Sequence, residues 1–309
     1  MIRFAALALA LVFAGCANSP LDTDETQGTT YKVYFLGGQS NMDGYGFVRD
    51  LPSELSQANP AVPIFTGKMV EDGKDGGGVG VWVPLSPGHG TGFTTDGAVN
   101  EPTDRFGPEL SFGAEMAAAN PDERIAIIKY SCGGTGLVDG IGYGSWDPDY
   151  DQGNRRNQYD NALTTIANAM QPRDLDGDGA LDRLVPAGIV WMQGEADAAE
   201  QEEAALAYED NLARLMGLLR AALHDDELPV VIGRIKDSGD TPETRVMLFS
   251  PEVQKRQAAF VEADRCAALV KDTEDFSFLP DGWHYTSQNY VTLGEAFARE
   301  MTRLEQSCD

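Results

Sequence analysis

Lys32-Val33-Tyr34-Phe35-Leu36-Gly37-Gly38-Gln39-Ser40-Asn41-Met42-Asp43-Gly44 is a short apolar strand that runs into two glycines and then a serine set among side-chain amides. Glycines allow a sharp turn and a close backbone approach. A strand that ends in such a turn holds a hydroxyl at the edge of a sheet, open to solvent. The neighbouring polar groups offer hydrogen-bond donors to a developing oxyanion. This is how a nucleophilic serine is presented. The pattern is not the G-x-S-x-G elbow, so a different scaffold is expected around Ser40.

Further along, the runs Ile125–Tyr130, Gly188–Met192, Val230–Gly233 and Ala267–Val270 read as four more strands, with Lys32–Leu36 as the first. Helical patterns alternate with them at Glu109–Ala119, Tyr159–Met170, Ala198–Leu223, Pro251–Ala263 and Tyr290–Leu304. Strands alternating with helices imply parallel βαβ units. The expected fold class is therefore α/β, a three-layer α/β/α sandwich on a five-stranded parallel sheet, with chemistry at the carboxyl ends of the strands. Residues 49–105, rich in Gly, Pro, Asp and Thr, are too long for an ordinary connection. They read as an insertion packed over the site, shaping substrate access.

A serine nucleophile needs a base, and the chain has three histidines, His89, His224 and His284. His284 lies in Asp281-Gly282-Trp283-His284, just before the last helix. One turn sets the Asp281 carboxylate against one imidazole nitrogen while the other faces the serine. An imidazole with an ordinary pKa of about 6.5 serves as base at neutral pH. His89 reads as a surface histidine, with cleft lining as the alternative, and His224 as structural or solvated. Cys132 reads as a buried free thiol beside the site.

Four blocks resemble the SGNH hydrolase superfamily, in its branch of carbohydrate esterase family 6 and sialate O-acetylesterase-like proteins. They are Gly38-Gln39-Ser40-Asn41-Met42, Lys129-Tyr130-Ser131-Cys132-Gly133-Gly134-Thr135, Trp191-Met192-Gln193-Gly194-Glu195-Ala196-Asp197 and Asp281-Gly282-Trp283-His284. Phe106-Gly107-Pro108-Glu109-Leu110 is similar to the same branch. The resemblance runs from about Tyr31 to the C-terminal helix. It implies a flavodoxin-like fold and removal of acetyl groups from sugars, with no cofactor in catalysis. Ser40 would attack the acetyl carbonyl, with His284 as base and Asp281 as its orienting acid. The Ser40 N–H, the backbone of Gly133 or Gly134, and the side-chain amide of Gln193 would form the oxyanion hole. Gln193 stands where the wider superfamily has asparagine. Gln39 and Asn41 would support the serine loop. Glu195 either braces that loop, the preferred reading, or competes with Asp281 as the acid.

A second motif is Asp174-Leu175-Asp176-Gly177-Asp178-Gly179-Ala180-Leu181-Asp182, of the form D-x-D-x-D-G-x-x-D. Alternate aspartates aim oxygens at one centre, and a glycine at the sixth position allows the sharp turn. Asp174, Asp176, Asp178, Asp182 and the Ala180 carbonyl suit a structural Ca²⁺. The twelfth position is Val185 rather than a bidentate glutamate, so the loop is not a full EF-hand.

The amino-terminal residues 1–15 combine Arg3, an apolar run and Phe13-Ala14-Gly15 before Cys16. They resemble a lipoprotein signal with lipidation at Cys16; an ordinary secretory signal is the alternative. Both readings place the protein outside the cytoplasm, either in the cell envelope, held by a lipid anchor, or secreted. Residues 16–30 then form a tether, and 31–309 the esterase domain. An exported chain permits a Cys266–Cys308 disulfide, a pairing left open. Net charge is −26 across 309 residues, which argues against nucleic-acid binding. The expected partner is an acetylated carbohydrate, acetylxylan-like or sialic-acid-like. Alternatives are an esterase for other small acyl esters, or a non-catalytic, calcium-dependent glycan-binding protein.

Overall fold

The strand and helix periodicities of the sequence assemble around one sheet. The computed structural model describes residues 28–72, 74–150 and 156–308. The signal segment, Cys16 and most of the tether lie outside the described residues. The main sheet contains β1 (Thr30–Gly38), β2 (Asn59–Thr66), β3 (Trp82–Leu85), β4 (Arg124–Ser131), β5 (Arg183–Met192), β6 (Val230–Gly233) and β7 (Ala267–Val270). Their spatial order is β7-β6-β5-β1-β4-β2-β3. All neighbours pair in parallel except the edge strand β3, which runs antiparallel to β2.

The sheet therefore has seven strands, not the five expected. The two extra strands come from residues 49–105, read above as an insertion over the site. Prolines hid them. In β2, Pro60 and Pro63 precede the stretch Ile64–Thr66 that bonds to β4, and Pro84 lies on the edge strand. Proline lacks a donor and is tolerated only at such places.

Around the sheet lie α1 (Ser40–Asp43), α2 (Glu109–Ala119), α3 (Gln158–Ala169), α4 (Glu195–Ala199), α5 (Glu202–Ala222), α6 (Ser250–Ala263) and α7 (Ser287–Glu305). The long pattern expected over Ala198–Leu223 is thus broken in two at Glu200–Gln201. Helix α2 packs against α7, while α5 packs against α3 and α6. On α7 the buried face is Tyr290, Leu293, Phe297, Met301 and Leu304. On α5 it is Tyr208, Leu212, Leu215, Met216 and Leu219. Each such side chain, fully buried, contributes about 1.5–3 kcal/mol. The central strands, covered on both faces, are largely apolar, as Phe35, Leu36, Ile127, Ile128, Val190 and Trp191 show.

Strand order reverses beside β1. The chain fills one side with β2, β3 and β4, then crosses to the other with β5, β6 and β7. The crevice at the carboxyl ends of β1, β4 and β5 is the switch point, where ligands of open α/β sheets bind. Cys132 is buried, and burial pushes its thiol up to about 12. Cys266 and Cys308 are free thiols in this structure. Burial, and then the neighbouring Cys308, push Cys266 up to about 11.

Candidate active site

The register of the sheet brings the site together. Gly38 pairs with Met192 on one side and with Ser131 on the other. Three chains therefore leave the sheet at one level, toward Ser40, Gly133 and Gln193. The Gln39 N–H donates to Met192 O at 2.9 Å, and the Cys132 N–H donates to Gly38 O at 3.1 Å. Gly38 has φ of +147°, and a Cβ there would lie 2.0 Å from Met192 O. The turn before the serine therefore requires glycine.

Ser40 opens the single turn α1. Gly133 faces it: a Cβ added at Gly133 would sit 3.4 Å from Ser40 Cβ. Among the described residues, the N–H groups of Ser40 and Gly133 meet no backbone carbonyl. Both remain available to an oxyanion.

Asp281 and His284 meet as the spacing predicts. Asp281 Oδ2 lies 2.8 Å from His284 Nδ1, and Asp281 Oδ1 accepts the N–H groups of Trp283 at 2.8 Å and His284 at 3.0 Å. Burial pushes the imidazole pKa below its usual value, against the raising effect of Asp281. Burial pushes Asp281 up, but the hydrogen bonds from His284 and the Trp283 and His284 backbone outweigh it and hold the carboxyl low. The base is thus neutral and its partner ionised near neutral pH. Tyr45 stacks flat on the imidazole, with centroids 3.5 Å apart and planes 5° apart. Ser40 and His284 line the same cleft, and no hydrogen bond joins them in the described structure. Such contacts often tighten only when substrate is bound.

Asn41 ties these parts together. Its Nδ2 donates to Glu195 Oε1 at 2.7 Å and to Trp283 O at 3.1 Å, and its Oδ1 accepts from Tyr290 OH at 2.7 Å. One buried side chain links the serine turn to α4, to the histidine loop and to α7. Glu195 makes its hydrogen bond here and none to His284. Burial raises its pKa.

Gln193 departs from its expected role. It is fully buried, and its Nε2 donates to Thr135 O at 3.0 Å and Asp197 Oδ2 at 2.5 Å. Both amide hydrogens are used inside the protein, so the oxyanion donation expected of Gln193 does not fit this geometry. Burial pushes Asp197 up to about 7, opposed by that Gln193 bond. Gln39 lines the cleft instead. Its Oε1 accepts from the N–H groups of Gly194 at 3.4 Å and Ala196 at 3.2 Å, which leaves its NH₂ as the end it can offer. Gly134 lines the cleft with φ of +66° and accepts the Tyr143 N–H at 2.7 Å.

Beneath α1 lies a buried ionic cluster that motif reading does not find. Lys129 Nζ, wholly buried, pairs with Glu109 Oε2 at 2.8 Å and donates to Asp43 O and His89 O, each at 2.8 Å. Asp43 Oδ1 accepts from Ser131 Oγ at 3.0 Å. Burial, partly offset by Lys129, pushes Asp43 up to about 6. The signal available in the sequence was a lysine inside the apolar run Ile125–Tyr130. His89 is neither on the surface nor in the cleft. It is buried, 2.8 Å from Thr66 Oγ1 and stacked near Phe93, and burial takes its pKa down to about 4. His224 is exposed at the end of α5 with φ of 61°, as expected of a structural or solvated residue.

The cleft measures about 680 Å³ and is lined by Gln39, Ser40, Tyr45, Gly133, Ile141, Tyr143, Glu200, Trp283 and His284 among others. Tyr143 is 74% exposed at its rim. No lysine or arginine lines it among the described residues, and none of its lining residues comes from residues 49–105.

Residues 30–303 match the family model described as carbohydrate esterase, sialic acid-specific acetylesterase. The chain belongs to this carbohydrate esterase family. Its class is accordingly that of an acetylesterase, a carboxylic ester hydrolase. No curated protein matches the chain. Among solved structures, a protein from Arabidopsis thaliana is similar at 17% identity and TM-score 0.62, over 88% of this chain and 98% of that one. A carbohydrate acetylesterase from Xanthomonas citri is similar at 17% identity and TM-score 0.62, over 89% of this chain and 56% of that one. NanS is similar at 13% identity and TM-score 0.57, over 91% and 99%. At these identities the likeness establishes the fold.

Proposed function

We propose that this family member is a serine O-acetylesterase that deacetylates neutral glycans through an acyl-enzyme. The observation that carries the reading is the shared cleft of Ser40, Gly133 and the Asp281-oriented His284. Ser40 Oγ attacks the acetyl carbonyl carbon while His284 Nε2 takes the hydroxyl proton. The carbonyl oxygen, now negative, receives the N–H groups of Ser40 and Gly133 and the Gln39 NH₂. One such donor is worth about 2.7–4 kcal/mol in the transition state. The tetrahedral intermediate collapses, the bond to the sugar oxygen breaks, and His284 returns the proton to that oxygen. Water then attacks the acetyl-Ser40 carbonyl with His284 again as base; the bond to Ser40 Oγ breaks, His284 returns the proton to that oxygen, and acetate leaves. Asp281 keeps Nδ1 protonated and stabilises the imidazolium at both stages.

The cleft wall supports a neutral substrate. Tyr143 and Trp283 offer flat apolar faces to sugar rings, and among the described lining residues the charged side chain is the acid Glu200. Among the described residues no lysine or arginine lines the cleft to meet a sialic acid carboxylate, the nearby Arg105 being bonded to Tyr45 O at 2.7 Å, in a chain of net charge −26. Acetate release should be measured on acetylated xylan and on O-acetylated sialic acid, with Ser40→Ala as control. The expected kcat/KM is at least tenfold higher on the xylan. A preference for the sialic acid overturns the substrate class, and activity retained by Ser40→Ala overturns the mechanism.

A further inference from the structure

The acidic loop lies at the other end of the sheet, before β5. One carboxylate oxygen from each of Asp174, Asp176 and Asp182 lies within 4.8 Å of the other two. No lysine or arginine pairs with them among the described residues. Their partners are neutral donors. Asp174 accepts the N–H groups of Gly177 and Gly179, and Asp176 accepts the Thr29 hydroxyl at 2.7 Å.

Asp182 supplies an independent sign of a ligand. It is only 7% exposed, its Oδ2 accepts the Leu175 N–H at 2.6 Å, and its Oδ1 is buried without any partner. A buried carboxylate oxygen left unpaired costs a folded protein on the order of 1–3 kcal/mol or more, and a cation held among the three carboxylates would offset that cost. The field of the loop reaches its neighbours. Burial first, then Asp176 and Asp182, push the Tyr31 hydroxyl above its ordinary pKa.

We propose that Asp174, Asp176 and Asp182 hold a calcium ion that fastens the start of β1 to the loop before β5. The donors are all hard oxygens on an irregular, partly exposed loop, which suits Ca²⁺ rather than Zn²⁺ or the strict octahedron of Mg²⁺. The Ala180 carbonyl and water complete the shell. Asp178 stands outside the three-carboxylate group, its Oδ1 accepting the Ala180 N–H at 2.8 Å. Strand β5 begins at Arg183, directly after Asp182. The loop therefore ends where an EF-hand would continue to its twelfth position, and Val185 is paired with Lys32 in the sheet. The fastening is direct. Thr29, whose hydroxyl reaches Asp176, also accepts the Arg183 N–H at 2.9 Å through its carbonyl.

The test is calorimetric titration of the EDTA-treated full chain with CaCl₂, together with thermal melts in Ca²⁺, Mg²⁺ and EDTA. The expected result is one saturable Ca²⁺ per chain and a Tm higher by about 3–8 °C in Ca²⁺ than in EDTA, as ligand binding to the folded state requires. Asp176→Asn should weaken Ca²⁺ at least tenfold while its Tm in EDTA matches the wild type. Asp182→Asn, which alters the buried member, should abolish the Ca²⁺-dependent rise in Tm. Absence of saturable binding overturns the site. Binding without a Tm change overturns the fastening. Because the readout is binding and melting, it stands or falls separately from the esterase reading.

Discussion

The two ends of strands β1 and β5 solve opposite problems with similar residues. At their carboxyl ends, buried acids and amides bond to one another, with Gln193 Oε1 and Glu195 Oε2 left over. Asn41 is held by Glu195, Trp283 and Tyr290, Gln193 by Asp197 and Thr135, and Lys129 by Glu109. At their amino ends, three carboxylates converge with no cation, and one buried oxygen lacks a partner. The first end is held in place by bonds among its own side chains, as the proposed catalysis requires. The second would be completed by the proposed ion. Polar burial is therefore spent on geometry at one end and on ligand affinity at the other.

Substitutions at the catalytic end test its half of that contrast. Ser40→Ala should cost roughly 10⁴-fold or more in kcat with the Tm held within a few degrees; a smaller loss in acetate release would remove Ser40 from the reaction. Asp281→Asn should cost on the order of 10³-fold, and Glu195→Gln far less. A reversed order would make Glu195 the acid. The pH profile adds a sign. Burial places the His284 pKa below its usual value and Asp281 opposes that shift. The acid limb of kcat/KM should accordingly lie below pH 6.5. In Asp281→Asn the raising interaction is gone, so the limb should move to lower pH. A limb that stays or rises would show that another group titrates. Asn41→Ala should lower kcat by roughly 10–100-fold with KM little changed, since the loss is of positioning. The smallest effect belongs to the rim: Tyr143→Ala should raise KM several-fold on glycans and leave kcat for a small acetyl ester unchanged.

Much of this was legible in the sequence, for identifiable reasons. Val230–Gly233, Ala267–Val270 and Glu109–Ala119 occur as read, because each has a strong local pattern. The Asp281–His284 contact was legible because it forms within one turn of the chain. β2 and β3 were not, since their prolines contradict strand propensity and only the sheet explains where they fit. Residues 49–105 widen the sheet and bring Arg105 to Tyr45 O, while the described cleft walls come from the ends of β1, β4 and β5 and the loop before α7. Tyr45 and the Lys129–Glu109 pair depend on contacts across many residues, which spacing does not encode. Gln193 shows the reverse case. Its place in a motif was clear, but the direction of its amide is set by Asp197, four residues later on α4.

The direction of β1 has a consequence for how the molecule meets its surroundings. The chain joins the sheet at Thr30 and reaches the catalytic turn only after nine residues of strand, roughly 30 Å at the usual rise per residue. Any surface that held the protein by its amino-terminal segment would face the base of the sheet. The cleft would then look outward, toward polymers too large to approach the surface itself.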